Sequence, residues 1–113
     1  MPKTGSFPGD VPRYTGDDAT SSRVVTVPHG WFPKKSLHFF TDFVLADQPV
    51  KVRYVCFDSE GRIVGGMEVN VHRDDPFHSG DLPAGTEAVL LQRKAGTELA
   101  NKVPVGLRID IWE

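Results

Sequence analysis

Val50-Lys51-Val52-Arg53-Tyr54-Val55-Cys56-Phe57, then Asp58-Ser59-Glu60-Gly61, then Arg62-Ile63-Val64-Gly65-Gly66-Met67-Glu68-Val69-Asn70-Val71: the fold class turns on this stretch. Val50, Val52, Tyr54 and Cys56 alternate with Lys51, Arg53, Val55 and Phe57, and Met67, Val69 and Val71 alternate with Glu68 and Asn70. A period of two with β-branched and aromatic side chains is the pattern of a half-buried strand, so the two runs form a β-hairpin. The tetrad between them begins with Asp and ends with Gly, which suits a type I turn whose glycine takes positive φ beside the return strand. Gly65-Gly66 inside that strand marks a bulge or a close approach of backbone.

Further strands follow on either side. Val24-Val25-Thr26-Val27 is β-branched throughout and is stopped by Pro28-His29-Gly30. Over Leu37 to Leu45 the helical and strand periods fit equally well; three phenylalanines, a valine and a threonine favour a strand. Pro83-Ala84-Gly85 introduces a strand from Glu87 to Arg93. Residues 95 to 102 form one helical turn capped by Thr97 or a plain loop. Val105, Leu107, Ile109 and Ile111 alternate with Gly106, Arg108, Asp110 and Trp112 in the last strand. About six strands at short spacing, with no helix to cover a parallel sheet, predict an all-β domain: a single antiparallel β-sandwich or small open barrel.

The hairpin resembles the middle hairpin of immunoglobulin-like and fibronectin-type sandwiches. The Cys…Trp…Cys spacing of true immunoglobulin domains is absent, and no family function is carried over from the likeness.

Residues 1–22 hold three of the nine prolines and almost no aliphatic side chain, and read as an irregular or flexible N-terminal tail ahead of a sandwich domain over 23–113. Phe7, Val11 and Tyr14 are the residues by which that tail would dock on the body or on a neighbouring subunit.

Composition narrows the function classes. The chain has 113 residues, 39% of them apolar, with 13 basic and 15 acidic side chains and a net charge of −2. No apolar run reaches the roughly 20 residues of a membrane helix, and no secretory leader is legible, so a soluble, cytoplasmic protein is expected. Near-neutral charge gives no electrostatic reason to expect a nucleic-acid partner. The single cysteine, Cys56, excludes an intrachain disulfide and lies in phase with the apolar side of its strand, as a small buried hydrophobe does.

Two clusters bear on chemistry. His72-Arg73-Asp74-Asp75-Pro76-Phe77-His78-Ser79-Gly80-Asp81 offers imidazoles and carboxylates within one loop. His72, Asp74, Asp75 and His78 are candidate ligands for a divalent metal, or the base and orienting acid of a small hydrolytic enzyme. Their spacing matches no standard metal site, and turn-forming residues in a solvated connector account for the same composition. No nucleophile elbow, phosphate loop or zinc-protease helix accompanies them. The turn His29-Gly30-Trp31-Phe32 is the second cluster: His29, Trp31 and Phe32 are candidates for contact with a small molecule, a glycan or a protein, since aromatic faces give large contact area at low entropic cost. The competing reading is a plug over one end of the sandwich.

Several strands are apolar on both faces. Phe40 and Val44 oppose Phe39 and Phe43; Ala88 and Leu90 oppose Val89 and Leu91; Val55 and Phe57 oppose Tyr54 and Cys56. A lone two-layer sandwich presents polar residues outside, so the surplus predicts a cover, either the tail or a second subunit. The expectation is a non-catalytic binding or assembly module without a cofactor, homo-oligomeric through an apolar sheet face.

Overall fold

A computed structural model describes residues 3–27, 34–44 and 48–112. In chain order the elements are β1 (Lys3–Val11), β2 (Ser22–Thr26), β3 (Lys34–Phe40), β4 (Val50–Phe57), β5 (Ile63–Val71), β6 (Phe77–His78), β7 (Ala88–Arg93), a short helix α1 (Glu98–Lys102) and β8 (Val105–Trp112). Two four-stranded antiparallel sheets result, in the orders β1-β8-β3-β6 and β2-β7-β4-β5, here called sheets A and B. Each sheet takes strands from both halves of the chain, and the order is that of a jelly roll. The antiparallel sandwich is the one expected. Its connectivity differs from the four-plus-three division of an immunoglobulin domain, because a hairpin carries its own local pairing and says nothing about which distant strands lie beside it.

The hairpin that decides the class is β4–β5. Asp58 N–H donates to the Arg62 carbonyl at 2.9 Å and Gly61 N–H to the Asp58 carbonyl at 3.1 Å, with Gly61 at φ 78° as the turn requires. The Asp58 carboxylate also accepts the Glu60 and Arg62 amides, both at 2.9 Å, and the Arg62 and Glu60 amides together with the Arg62 guanidinium hold it below the usual carboxylate range. The register slips between Cys56 and Phe57, so a bulge sits beside the paired glycines. Gly66 is there for space: a Cβ on it would stand 2.4 Å from the Tyr54 carbonyl oxygen.

The core lies between the inner faces. From sheet B it takes Val50, Val52, Tyr54, Cys56, Val71, Val89 and Leu91; from sheet A, Val11, Leu37, Phe39, Val105, Leu107 and Ile109. Cys56 is fully buried, and burial pushes its thiol up, against a smaller opposing effect of the Thr86 hydroxyl.

Two strands exceed the expected count, one long and one short. Residues 3–11, expected to be irregular, form β1 and pair with β8 from Lys3↔Trp112 to Val11↔Val105. Pro8 is tolerated because β1 is an edge strand. Gly5 and Gly9 let it lie close to the inner side chains, since a Cβ on either would meet Ile111 or Leu107 at 3.3 Å. Val11 is in the core, whereas Phe7 remains 45% exposed at the sheet edge. The remainder of the lead-in is a turn, in which Ser21 N–H donates to the Asp17 carbonyl at 2.9 Å. The other unexpected strand, β6, comprises two residues paired with β3.

Of the segment Leu37 to Leu45, Leu45 lies outside the described residues, and the rest is a strand only as far as Phe40. There Thr41 Oγ1 donates to the Pro104 carbonyl at 2.7 Å and accepts the Phe43 amide at 3.2 Å, which turns the chain away from the sheet. Residues 97–102 resolve to the capped helical turn: Thr97 Oγ1 accepts the Ala100 amide at 3.1 Å. No helix among the described residues is long and apolar enough to cross a membrane.

Candidate functional site

The turn holding His29, Trp31 and Phe32 lies outside the described residues. The His72–Asp81 loop is described, and it disperses the proposed ligands. His72 bridges back to Asp75, with Nε2 4.0 Å from Oδ2. Asp74 points to solvent beside Arg73 at 3.3 Å. His78 is carried away on β6, where its ring stacks on His38 with centroids 3.9 Å apart. Among the described residues no three His, Cys, Asp or Glu side chains gather where a metal ion would be held. His72 and Asp75 are thus brought together, and Asp74 and His78 are not.

Each sheet has an outer face, and the two differ in chemistry. Sheet A is polar. Its register places Ser6, Asp110 and Ser36 in one row, and Pro8, Arg108, His38 and His78 in the next. Asp110 stands at the centre, only 1% exposed although it points away from the core, because the side chains around it close over it. Arg108 Nε donates to its Oδ2 at 3.2 Å, His38 Nε2 lies 3.6 Å from the same oxygen, and Lys3 Nζ is 3.9 Å from Oδ1. Burial pushes the Asp110 carboxyl up, but the Ser6 hydroxyl, Arg108, Lys3 and His38 outweigh it and hold the group below the usual carboxylate range. Burial, with His78, Arg108 and Lys3, holds the His38 imidazole below its ordinary value, against the opposing pull of Asp110. Trp112 completes the face: its Nε1–H donates to Ser36 Oγ at 3.3 Å, and the Lys34 ammonium sits 5.6 Å from its ring centre. A dyad of imidazole and carboxylate would suit proton transfer, yet the 3.6 Å gap exceeds a hydrogen bond.

Sheet B is apolar outside. Val24, Leu90, Val55 and Gly66 form one row across all four strands, and Thr26, Ala88, Phe57 and Ile63 form the row beside it. At the edges Val24 and Ile63 are 63% and 70% exposed, whereas Leu90, Ala88 and Phe57 are partly covered and Val55 is buried, 9% exposed. On the other flank the row Ser22, Gln92, Arg53 and Glu68 is polar, with Arg53 paired directly to Glu68. A hollow of about 490 Å³ opens beside this face among Arg53, Tyr54, Val55, Ile63, Met67 and Glu68. Among the described residues the N-terminal segment does not cover this face; β1 is spent closing the edge of sheet A.

The inward and outward alternation of β3, β4, β7 and β8 was legible in the sequence, whereas that of β1 and β6 was not. The polar cluster was not, since Lys3, Ser6, His38, His78, Arg108 and Asp110 come from four strands whose neighbours are set by the jelly-roll order. A signal was nevertheless present: an acid placed between an arginine and a tryptophan at alternate positions of β8. No protein-family model matches the chain, and no curated protein matches it.

Proposed function

We propose that the chain is a non-catalytic assembly module that joins a second copy of itself through the outer face of sheet B. The observation that carries this reading is the apolar row Val24–Leu90–Val55–Gly66, which crosses the whole sheet. The exposed part of this face lies at its two edges, where Val24 is 63% and Ile63 70% exposed, and burying such apolar surface is favourable at roughly 25 cal/mol per Å² removed from water. A second copy suits the face because the bordering row carries both charges: a two-fold arrangement brings the Arg53 of one copy towards the Glu68 of the other, and neither is left facing its like. The hollow between Arg53 and Ile63 gives a side chain of the facing copy a place to enter.

Light scattering on the whole chain at micromolar concentration tests the reading. The expected mass is twice the 12.5 kDa of the chain. The double substitution Val24→Glu/Ile63→Glu, at the two most exposed apolar side chains of the face, should return the monomer mass with cooperative unfolding retained. A monomeric parent chain at tens of micromolar would overturn the proposal.

A further inference from the structure

The hold of β6 on sheet A is slight and specific. Its two residues pair as His38↔His78 and Phe39↔Phe77. Beyond these, Ser79 N–H donates to the Leu37 carbonyl at 2.9 Å, and Leu37 N–H donates to Ser79 Oγ at 2.7 Å. On the inner side Phe77 lies against Phe39 and Tyr54, with ring centres 5.8 Å away in each case. On the outer side the two imidazoles are stacked at 3.9 Å and inclined by 24°. Such a stack is favourable between neutral rings and repulsive between two cations, which share one face with no room for an anion between them.

The groups around the pair are unevenly placed. His38 on β3 is faced from β8 by Arg108 and Asp110, from β1 by Lys3 and from β6 by His78. Asp110 is already engaged by Arg108 and approached by Lys3, so its charge is shared among three cations once His38 is protonated. His78 is on an edge strand and has only β3 beside it in the sheet. Relief of repulsion is therefore one-directional: His38 is held between β8 and β6, whereas β6 is the edge strand, anchored beyond Ser79 by the Leu82 amide, which donates to the Lys35 carbonyl at 2.7 Å.

We propose that the stacked His38–His78 pair is an acid-sensitive clasp, which holds residues 77–79 on the edge of sheet A near neutrality and releases them as the pH falls. Release uncovers the Phe39–Tyr54 edge of the core, giving the molecule a second, conditional apolar surface that is independent of sheet B. The sign follows from the linkage of protonation to structure. His38 binds its proton less readily in the closed form than in the open one, so closure is at full strength above the ordinary imidazole value of 6.5 and weakens as the pH falls below it.

Hydrogen exchange of the whole chain between about pH 7.5 and about pH 5, corrected for intrinsic rates, reads the clasp directly. The Ser79 amide should lose protection by about tenfold, the equivalent of one pKa unit of coupling, while the amides of β7 keep theirs. His78→Phe keeps an aromatic ring on the stack without a charge and should abolish the change; His78→Gln serves the same purpose if that variant does not fold. Unchanged Ser79 protection in the parent chain, an equal loss in both His78 variants, or a parallel loss in β7 would each overturn the proposal.

Discussion

Arg93 is the largest side chain to be fully buried, and it has no acidic partner among the described hydrogen bonds. Its guanidinium donates to the Ala100 carbonyl at 2.7 Å and the Val103 carbonyl at 3.0 Å, so one cation closes the C-terminal carbonyls of α1. Burial, with a smaller contribution from Arg13, lowers it to about 10, which leaves it charged at neutral pH. Arg93→Ala would strand two carbonyls and leave a hole, at a cost of about 3–4 kcal/mol read from the urea midpoint. Arg93→Lys should recover only part of this, because one ammonium does not reproduce the guanidinium fork. Asp110 sets a second residue-scale expectation. Its carboxyl is held below the ordinary value of 3.8, so its contribution is complete above that pH and is lost as the pH falls through the lower folded value. An acid-unfolding series should therefore show a limb below about pH 4 that flattens in Asp110→Asn. The alternation of β8 already placed Asp110 on the polar side of its strand, and Arg93 falls in phase with the inward Val89 and Leu91. Neither partner set was legible, because each depends on where a different part of the chain returns.

At the scale of elements, local chemistry was the readable part. The Asp58-to-Gly61 turn and the glycine pair of β5 are written within a few residues of themselves and are formed as expected, and of the two readings of residues 95–102 the structure takes the helical turn capped by Thr97. Thr97→Ala should cost about 1 kcal/mol in a thermal or urea unfolding curve, the usual value of an N-cap. Strand β1 was not readable, since its Gly- and Pro-rich sequence has no intrinsic strand preference and gains its form from β8. Removing residues 1–11 leaves the alternating apolar edge of β8 unpaired. The shortened chain should aggregate or lose cooperative unfolding, whereas a dispensable tail would leave the unfolding midpoint unchanged. Strand β6 is the opposite case, with two residues of pairing in a loop that read as a connector.

For the molecule as a whole, apolar content on both faces of several strands is the feature that joins sequence to proposed function. Val55, Phe57, Ala88 and Leu90 were expected to surplus the core, and the register puts all four side by side on one outer face. Phe40, from the same argument, lies elsewhere, on sheet A over Gly106, where its ring occupies the space a Cβ would need. The surplus is thus concentrated on sheet B, and the cover we propose is a second copy. Oxidative cross-linking tests that claim most directly. In a Cys56→Ala background, Leu90→Cys places a single thiol at the centre of the sheet B face, and Asp10→Cys places one on the outer face of sheet A. A dimer through sheet B gives a disulfide-linked pair from Leu90→Cys under mild oxidation and none from Asp10→Cys; equal linking of the two, or linking through Asp10→Cys alone, would contradict such a dimer.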